Sequence, residues 1–119
     1  MDPAITYIHE RRDAFVEELK TFCRIPSVST KSEHKADIQT AAEWLADSMR
    51  AIGLEHVQIM PTGGHPVVYA DWLHAAGKPT ALVYGHYDVQ PAEPLDLWIT
   101  GPFDPTVRDG ELYARGAVD

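Results

Sequence analysis

Apolar positions recur at helical spacing in the first half of the chain and switch to an extended period after Gly53. Asp2-Pro3 reads as a helix start, a capping carboxylate followed by a proline at the first helical position. Ile5, Ile8, Phe15, Leu19 and Phe22 then form a stripe, widened by Val16 and Cys23 and interrupted at its border by Arg12. Pro26 disfavours helix in the residue before it, so this helix is expected to end near Arg24. Ser27 to Lys35 is a polar connection. A second helix is expected from about Ala36 to Ile52, its apolar face Ile38, Ala41, Ala42, Leu45, Met49 and Ile52 with Trp44 beside it, and Gly53 supplies the left-handed closing residue.

Beyond Gly53, Val57 and Ile59 alternate with polar neighbours and predict a strand before Pro61; Gly63-Gly64 is a turn, and Val67 to Trp72 predicts a second strand. After a turn at Ala75 to Lys78, the run Ala81-Leu82-Val83-Tyr84 has the pattern of a strand covered on both faces. Pro91 to Pro105, with four prolines, reads as an ordered surface loop. Asp109-Gly110 between Thr106-Val107-Arg108 and Glu111-Leu112-Tyr113 is a hairpin signal, because a tight primed turn favours Asp-Gly. Two helices followed by mixed strands give an α/β chain, with no repeat, low-complexity tract or domain linker along its 119 residues.

Composition narrows the function classes. The chain is 45% hydrophobic and 24% charged, ordinary for a globular protein, with 18 acidic against 10 basic residues and a net charge of −8. The basic residues are scattered, and only Arg11-Arg12 are adjacent, so no nucleic-acid partner is expected. No apolar stretch approaches a membrane span, and the start lacks the pattern of a signal peptide, so the expectation is a cytoplasmic protein with no membrane partner. The single cysteine, Cys23, excludes an intrachain disulfide and reads as a small buried hydrophobe.

The chemistry concentrates in Tyr84-Gly85-His86-Tyr87-Asp88-Val89-Gln90-Pro91. In extended chain, residues two apart point to one side, so His86 and Asp88 are able to face a common site. An imidazole ligates zinc well when its other nitrogen is fixed by a carboxylate. Taken alone, such a His-x-Asp tripeptide is more often a strand cap followed by a turn. His9, His34, His56, His65 and His74 fit no ligand spacing and are expected at the surface or its boundary; Tyr87 and Trp98 are expected to pack rather than react. Ser27 and Ser29 lie near no identifiable base, so a serine nucleophile has no support.

The surroundings change the weight of the tripeptide. Gly-His-Tyr-Asp-Val-Gln-Pro, then Trp98, Pro102-Phe103, Asp109-Gly110 and Leu112-Tyr113-Ala114-Arg115-Gly116-Ala117-Val118-Asp119, together resemble the zinc-dependent dipeptidase and carboxypeptidase family that includes carnosinase, carboxypeptidase G and aminoacylase. The Val-Gln-Pro ending resembles the carnosinase-like dipeptidase branch, and Ile25-Pro26-Ser27-Val28-Ser29 resembles the family's N-terminal region.

The resemblance implies that His86 is a ligand to one metal, Asp88 the catalytic-site carboxylate that orients it, and Asp119 the metal-bridging first acid of an Arg-Gly-x-x-Asp-Asp motif. It implies two Zn²⁺ per intact site, with Mn²⁺ or Co²⁺ as substitutes because carboxylate-rich sites discriminate weakly among them. It further implies that residues 1–119 are the N-terminal portion of a zinc-hydrolase α/β catalytic domain. The closing helices, the lid domain, a Glu-Glu pair supplying the general base, and the remaining ligands are then expected downstream. The implied reaction of the intact enzyme is hydrolysis of a dipeptide or small peptide, and the resemblance admits a homodimer. The alternatives are an amidohydrolase acting on N-acyl amino acids and a non-catalytic truncated binding subunit. The 119-residue chain itself is expected to be inactive and to expose apolar surface.

Overall fold

The computed structural model describes residues 1–119. It contains three α-helices and two small antiparallel sheets, in the order α1 (Pro3–Glu10), α2 (Arg12–Cys23), α3 (Lys35–Ala51), β1 (Glu55–Met60), β2 (Val67–Asp71), β3 (Thr106–Arg108) and β4 (Glu111–Tyr113). The mixed α/β class is that which the apolar pattern predicts; two elements differ, as described below. No helix is long and apolar enough to cross a membrane. Two compact units are distinguished: Met1–Ile25 together with Ala92–Asp119, and Pro26–Pro91.

In the first unit, the Asp2 carboxylate accepts from the Ala4 N–H at 2.8 Å, and Pro3 occupies the first helical position. The expected single helix is instead two, parted at Arg11 (φ −107°, ψ 10°). The Arg11 guanidinium lies 5.4 Å from the centre of the Tyr7 ring, and Tyr7 meets Phe15 at 6.1 Å, so side chains on both sides of the break are held to one another. None of the residues of α1 is buried, and Ile5 and Ile8 remain about half exposed. Cys23, at the end of α2, is buried as expected.

The same unit contains the β3–β4 hairpin. Asp109 (φ 52°) and Gly110 (φ 82°) both have positive φ, the requirement of a primed two-residue turn. The loop before it, Pro91 to Pro105, includes a short 3₁₀ turn at Leu95–Leu97, and the Trp98 indole N–H donates to the Ala92 carbonyl at 2.8 Å.

In the second unit, α3 buries Ile38, Ala41, Ala42 and Ala46, a narrow stripe of mostly small residues that lets the helix lie close to β1 and β2. Ile52, expected on this face, is exposed because the helix has already closed. Its end is a complete Schellman motif: Gly53 N–H bonds the Arg50 carbonyl, and Leu54 N–H the Met49 carbonyl, each at 3.0 Å, with Gly53 at φ +89°. The β1–β2 hairpin turns its half-buried Val57, Ile59, Val68 and Ala70 to one face.

The stretch Thr80–Tyr84 departs from expectation. It forms no strand, and Leu82, Val83 and Tyr84 are 93, 89 and 90% exposed. Strand structure requires a ladder partner, and no segment of the chain pairs with this run. The sheet content is accordingly two separate hairpins rather than one mixed sheet, with a single parallel bridge between Val28 and Val89.

Gly53→Ala tests the helix closure. A Cβ there meets no atom within 4 Å, so the cost is purely conformational. Urea unfolding is expected to show a loss of about 1–2 kcal/mol from the left-handed backbone; an unchanged midpoint would contradict this account.

Candidate functional site

The candidate site is built on two short segments of the second unit, Ser27–Ser29 and His86–Val89. Val89 N–H donates to the Ser27 carbonyl at 2.9 Å within the parallel bridge, and Val28 is buried against the interior. Ser27 is the one buried polar residue of this core, and its hydroxyl donates to the Tyr87 carbonyl at 3.0 Å. Burying a hydroxyl without a partner is expensive, so this bond fixes the register of the two segments. The Tyr87 hydroxyl donates to the Pro66 carbonyl, and His65 Nε2 donates to the Ser29 carbonyl at 2.8 Å. The turn between β1 and β2 thus holds both segments.

This frame presents His86 and Asp88 together. The His86 Nδ1 lies 2.9 Å from Asp88 Oδ1. An ionised carboxylate only accepts, so Nδ1 carries the proton and the ring's lone pair is on Nε2. The second Asp88 oxygen, Oδ2, accepts from the Ser29 hydroxyl. The Ser29 hydroxyl first, then the His86 ring, lower the Asp88 pKa below the usual carboxylate range, against a partial burial that raises it. Burial and the neighbouring Asp88 charge push the Tyr87 phenol up.

Such an arrangement suits a zinc-class cation: one imidazole nitrogen with a fixed tautomer, made more basic by an ionised partner. Ser29 is the member that sequence reasoning missed. Along the chain it lies near no base, although it belongs to the Ile-Pro-Ser-Val-Ser stretch that resembles the family's N-terminal region. Its role is to hold Asp88, which no spacing along the chain reveals. An open groove of this unit, along Ser32–Gln39 and Gly64–Pro66, includes neither His86 nor Asp88.

Asp119, the third expected residue, is exposed and belongs to the other unit. The motif before it is well fixed. Arg115 N–H donates to the Pro102 carbonyl at 2.7 Å, and its guanidinium lies 5.5 Å from the centre of the Trp98 ring. Gly116 has φ +85°, a conformation that accounts for the glycine of the Arg-Gly pair.

Residues 82–119 match the Peptidase family M20/M25/M40. The chain is 32% identical over its whole length to the Cys-Gly metallodipeptidase DUG1 of Candida albicans, covering 27% of that protein. It is 33% identical over its whole length to the Beta-Ala-His dipeptidase of Rattus norvegicus, again covering 27%. The crystal structure of human carnosine dipeptidase 1 superposes on 96% of the chain with a TM-score of 0.86 at 33% identity, and the match covers 26% of that structure. The chain therefore spans about a quarter of the length of the curated relatives it matches.

Asp88 contributes stability that is present above its unfolded-chain pKa and lost as pH falls through its lowered folded value. Ser29→Ala removes the largest cause of that lowering. Carboxyl NMR titration is expected to show the Asp88 pKa moving up, and acid destabilisation beginning at higher pH; an Asp88 pKa that stays put or falls would exclude the assigned role of Ser29.

Proposed function

We propose that the chain, which matches the M20/M25/M40 peptidase family over residues 82–119 and is similar to its metallodipeptidases, belongs to that family, and that the whole protein hydrolyses the peptide bond of dipeptides or small peptides at a two-metal site, with residues 1–119 as the N-terminal portion of its catalytic domain. The observation that supports this most directly is the Asp88 carboxylate shared between the Ser29 hydroxyl and His86 Nδ1. His86 serves as ligand through Nε2, and Asp88 holds the ring in that tautomer.

Asp119 is proposed as the carboxylate between the two ions, on the strength of the Arg115-Gly116-x-x-Asp119 match. A carboxylate shared there would reduce the repulsion of two neighbouring dications. When bound, the metal pair, proposed to be Zn²⁺, polarises the peptide carbonyl and acidifies a nearby water. The general base is assigned to the family's Glu-Glu pair downstream of the Asp119 motif, so these 119 residues on their own are proposed to be inactive.

Steady-state assays of the intact enzyme on dipeptides and on N-acyl amino acids test the reading. Dipeptides are expected to turn over faster, and preference for N-acyl compounds would move the assignment to the amidohydrolase alternative. Asp88→Asn is expected to lower activity or metal affinity roughly 10–100-fold, and His86→Ala by more; full activity in either variant would refute the ligand assignment. The purified 119-residue chain with added Zn²⁺ is expected to release no product from a dipeptide, and measurable turnover would show that the catalytic set is already present in it.

A further inference from the structure

The β1–β2 hairpin contains a second cluster of metal-ligating groups, distinct from His86 and Asp88. Glu55 stands directly opposite Asp71 in the antiparallel register. Like charges facing each other across a strand pair are destabilising unless something positive lies between them. Three residue steps along β1, Glu55 to Gln58, match two along β2, Asp71 to Tyr69, so β1 carries a bulge.

His56 lies in that bulge at φ 52°, a left-handed conformation uncommon for a residue other than glycine. The bulge has a geometric consequence. Glu55 and His56 are sequence neighbours, which a regular strand would point to opposite faces, yet both bring a ligand atom to the same place as Asp71. These atoms of Glu55, His56 and Asp71 all lie within 4.8 Å of one another.

Three further side chains, His74, Tyr69 and Trp72, surround the cluster. His56 Nδ1 is 2.7 Å from Asp71 Oδ1, and His74 Nε2 is 2.9 Å from Glu55 Oε2. The Tyr69 hydroxyl donates to the other Asp71 oxygen at 2.9 Å, and Trp72 packs edge-on against the His74 ring at 5.4 Å. Two ligand atoms on a tetrahedral zinc stand ~3.3 Å apart at ordinary zinc bond lengths. The ligand atoms of Glu55, His56 and Asp71, none more than 4.8 Å from another, are close to that spacing, and His74 joins them through Glu55.

We propose that Glu55, His56 and Asp71, with His74 as fourth ligand, form a surface site for a zinc-class divalent transition metal that clips β1 to β2. Two carboxylates neutralise the dication, and two imidazoles select a zinc-class ion over magnesium or calcium, which prefer all-oxygen shells. Tyr69 acts as a positioning residue through Asp71, as outer partners of ligating carboxylates do. This inference is independent of the proposed peptidase site.

The test uses Zn²⁺ competition against a chromophoric chelator on the 119-residue chain carrying His86→Ala, which removes the other candidate ligand. About one equivalent is expected to bind. Adding His56→Asn, which tolerates the left-handed backbone but removes the imidazole, is expected to weaken binding at least ~100-fold, and Tyr69→Phe ~10-fold. No binding to the His86→Ala chain, or binding unmoved by His56→Asn, would overturn the proposal. In the unsubstituted chain, the ring proton signals of His56 and His74 are expected to shift together on adding Zn²⁺, and Tm is expected to rise. Movement of the His86 signals alone would also overturn it. This measurement needs no variant to fold.

Discussion

Everything at the candidate site depends on one buried hydroxyl. Ser27 is 3% exposed, and its Oγ has to find an acceptor; the Tyr87 carbonyl supplies it. That bond and the Val89–Ser27 backbone bond clamp two segments about sixty residues apart in sequence. The segment that carries His86 belongs to no strand, and the residues before it are almost fully exposed. Its order therefore comes from these side-chain and bridge contacts rather than from a sheet. Once the register is set, Ser29 has no choice but to meet Asp88, and Asp88 in turn meets His86.

Regular structure contributes from behind. The narrow alanine stripe of α3 supports the β1–β2 hairpin, and the turn of that hairpin supplies the acceptor for the Tyr87 hydroxyl and the donor to the Ser29 carbonyl. Helix packing and site geometry are thus coupled through Pro66 and His65. The lowered pKa of Asp88 follows from the same chain of contacts, since its largest cause is a hydroxyl delivered by the clamp.

How much of this was legible along the chain depended on whether the determinant was local. The Asp2 cap, the Gly53 closure and the Asp109-Gly110 turn are settled by a few adjacent residues, and each appears where the pattern puts it. The break at Arg11 was not legible: the stripe lapses between Ile8 and Phe15, but Arg12 at its border reads equally well as an interruption within one helix. Neither was the fate of Ala81-Leu82-Val83-Tyr84, whose composition suits a buried strand but whose structure depends on a partner. At the site, the His-x-Asp pair is local and was readable. Ser29 was not, because only the clamp, linking residues 59 positions apart, gives it a function. Asp119 was readable only through its motif.

Positive φ angles sharpen the distinction between rules kept and rules broken. Gly53, Gly110 and Gly116 occupy left-handed positions at a helix end, a tight turn and the Arg-Gly motif, where local geometry asks for glycine. Asp109 is tolerated beside Gly110 because short polar side chains are the usual exceptions. His56 has no such excuse in its turn chemistry, since it lies inside β1. The same bulge brings its imidazole to the carboxylate that faces Glu55. Glycine there would relax the backbone and remove the imidazole from Asp71, leaving it the Tyr69 hydroxyl alone; histidine keeps the strain and answers the charge. Local rules fail in a folded chain where another demand outweighs them, and here that demand is electrostatic, so the departure from the backbone rule and the crowding of charge at Glu55 and Asp71 have one explanation.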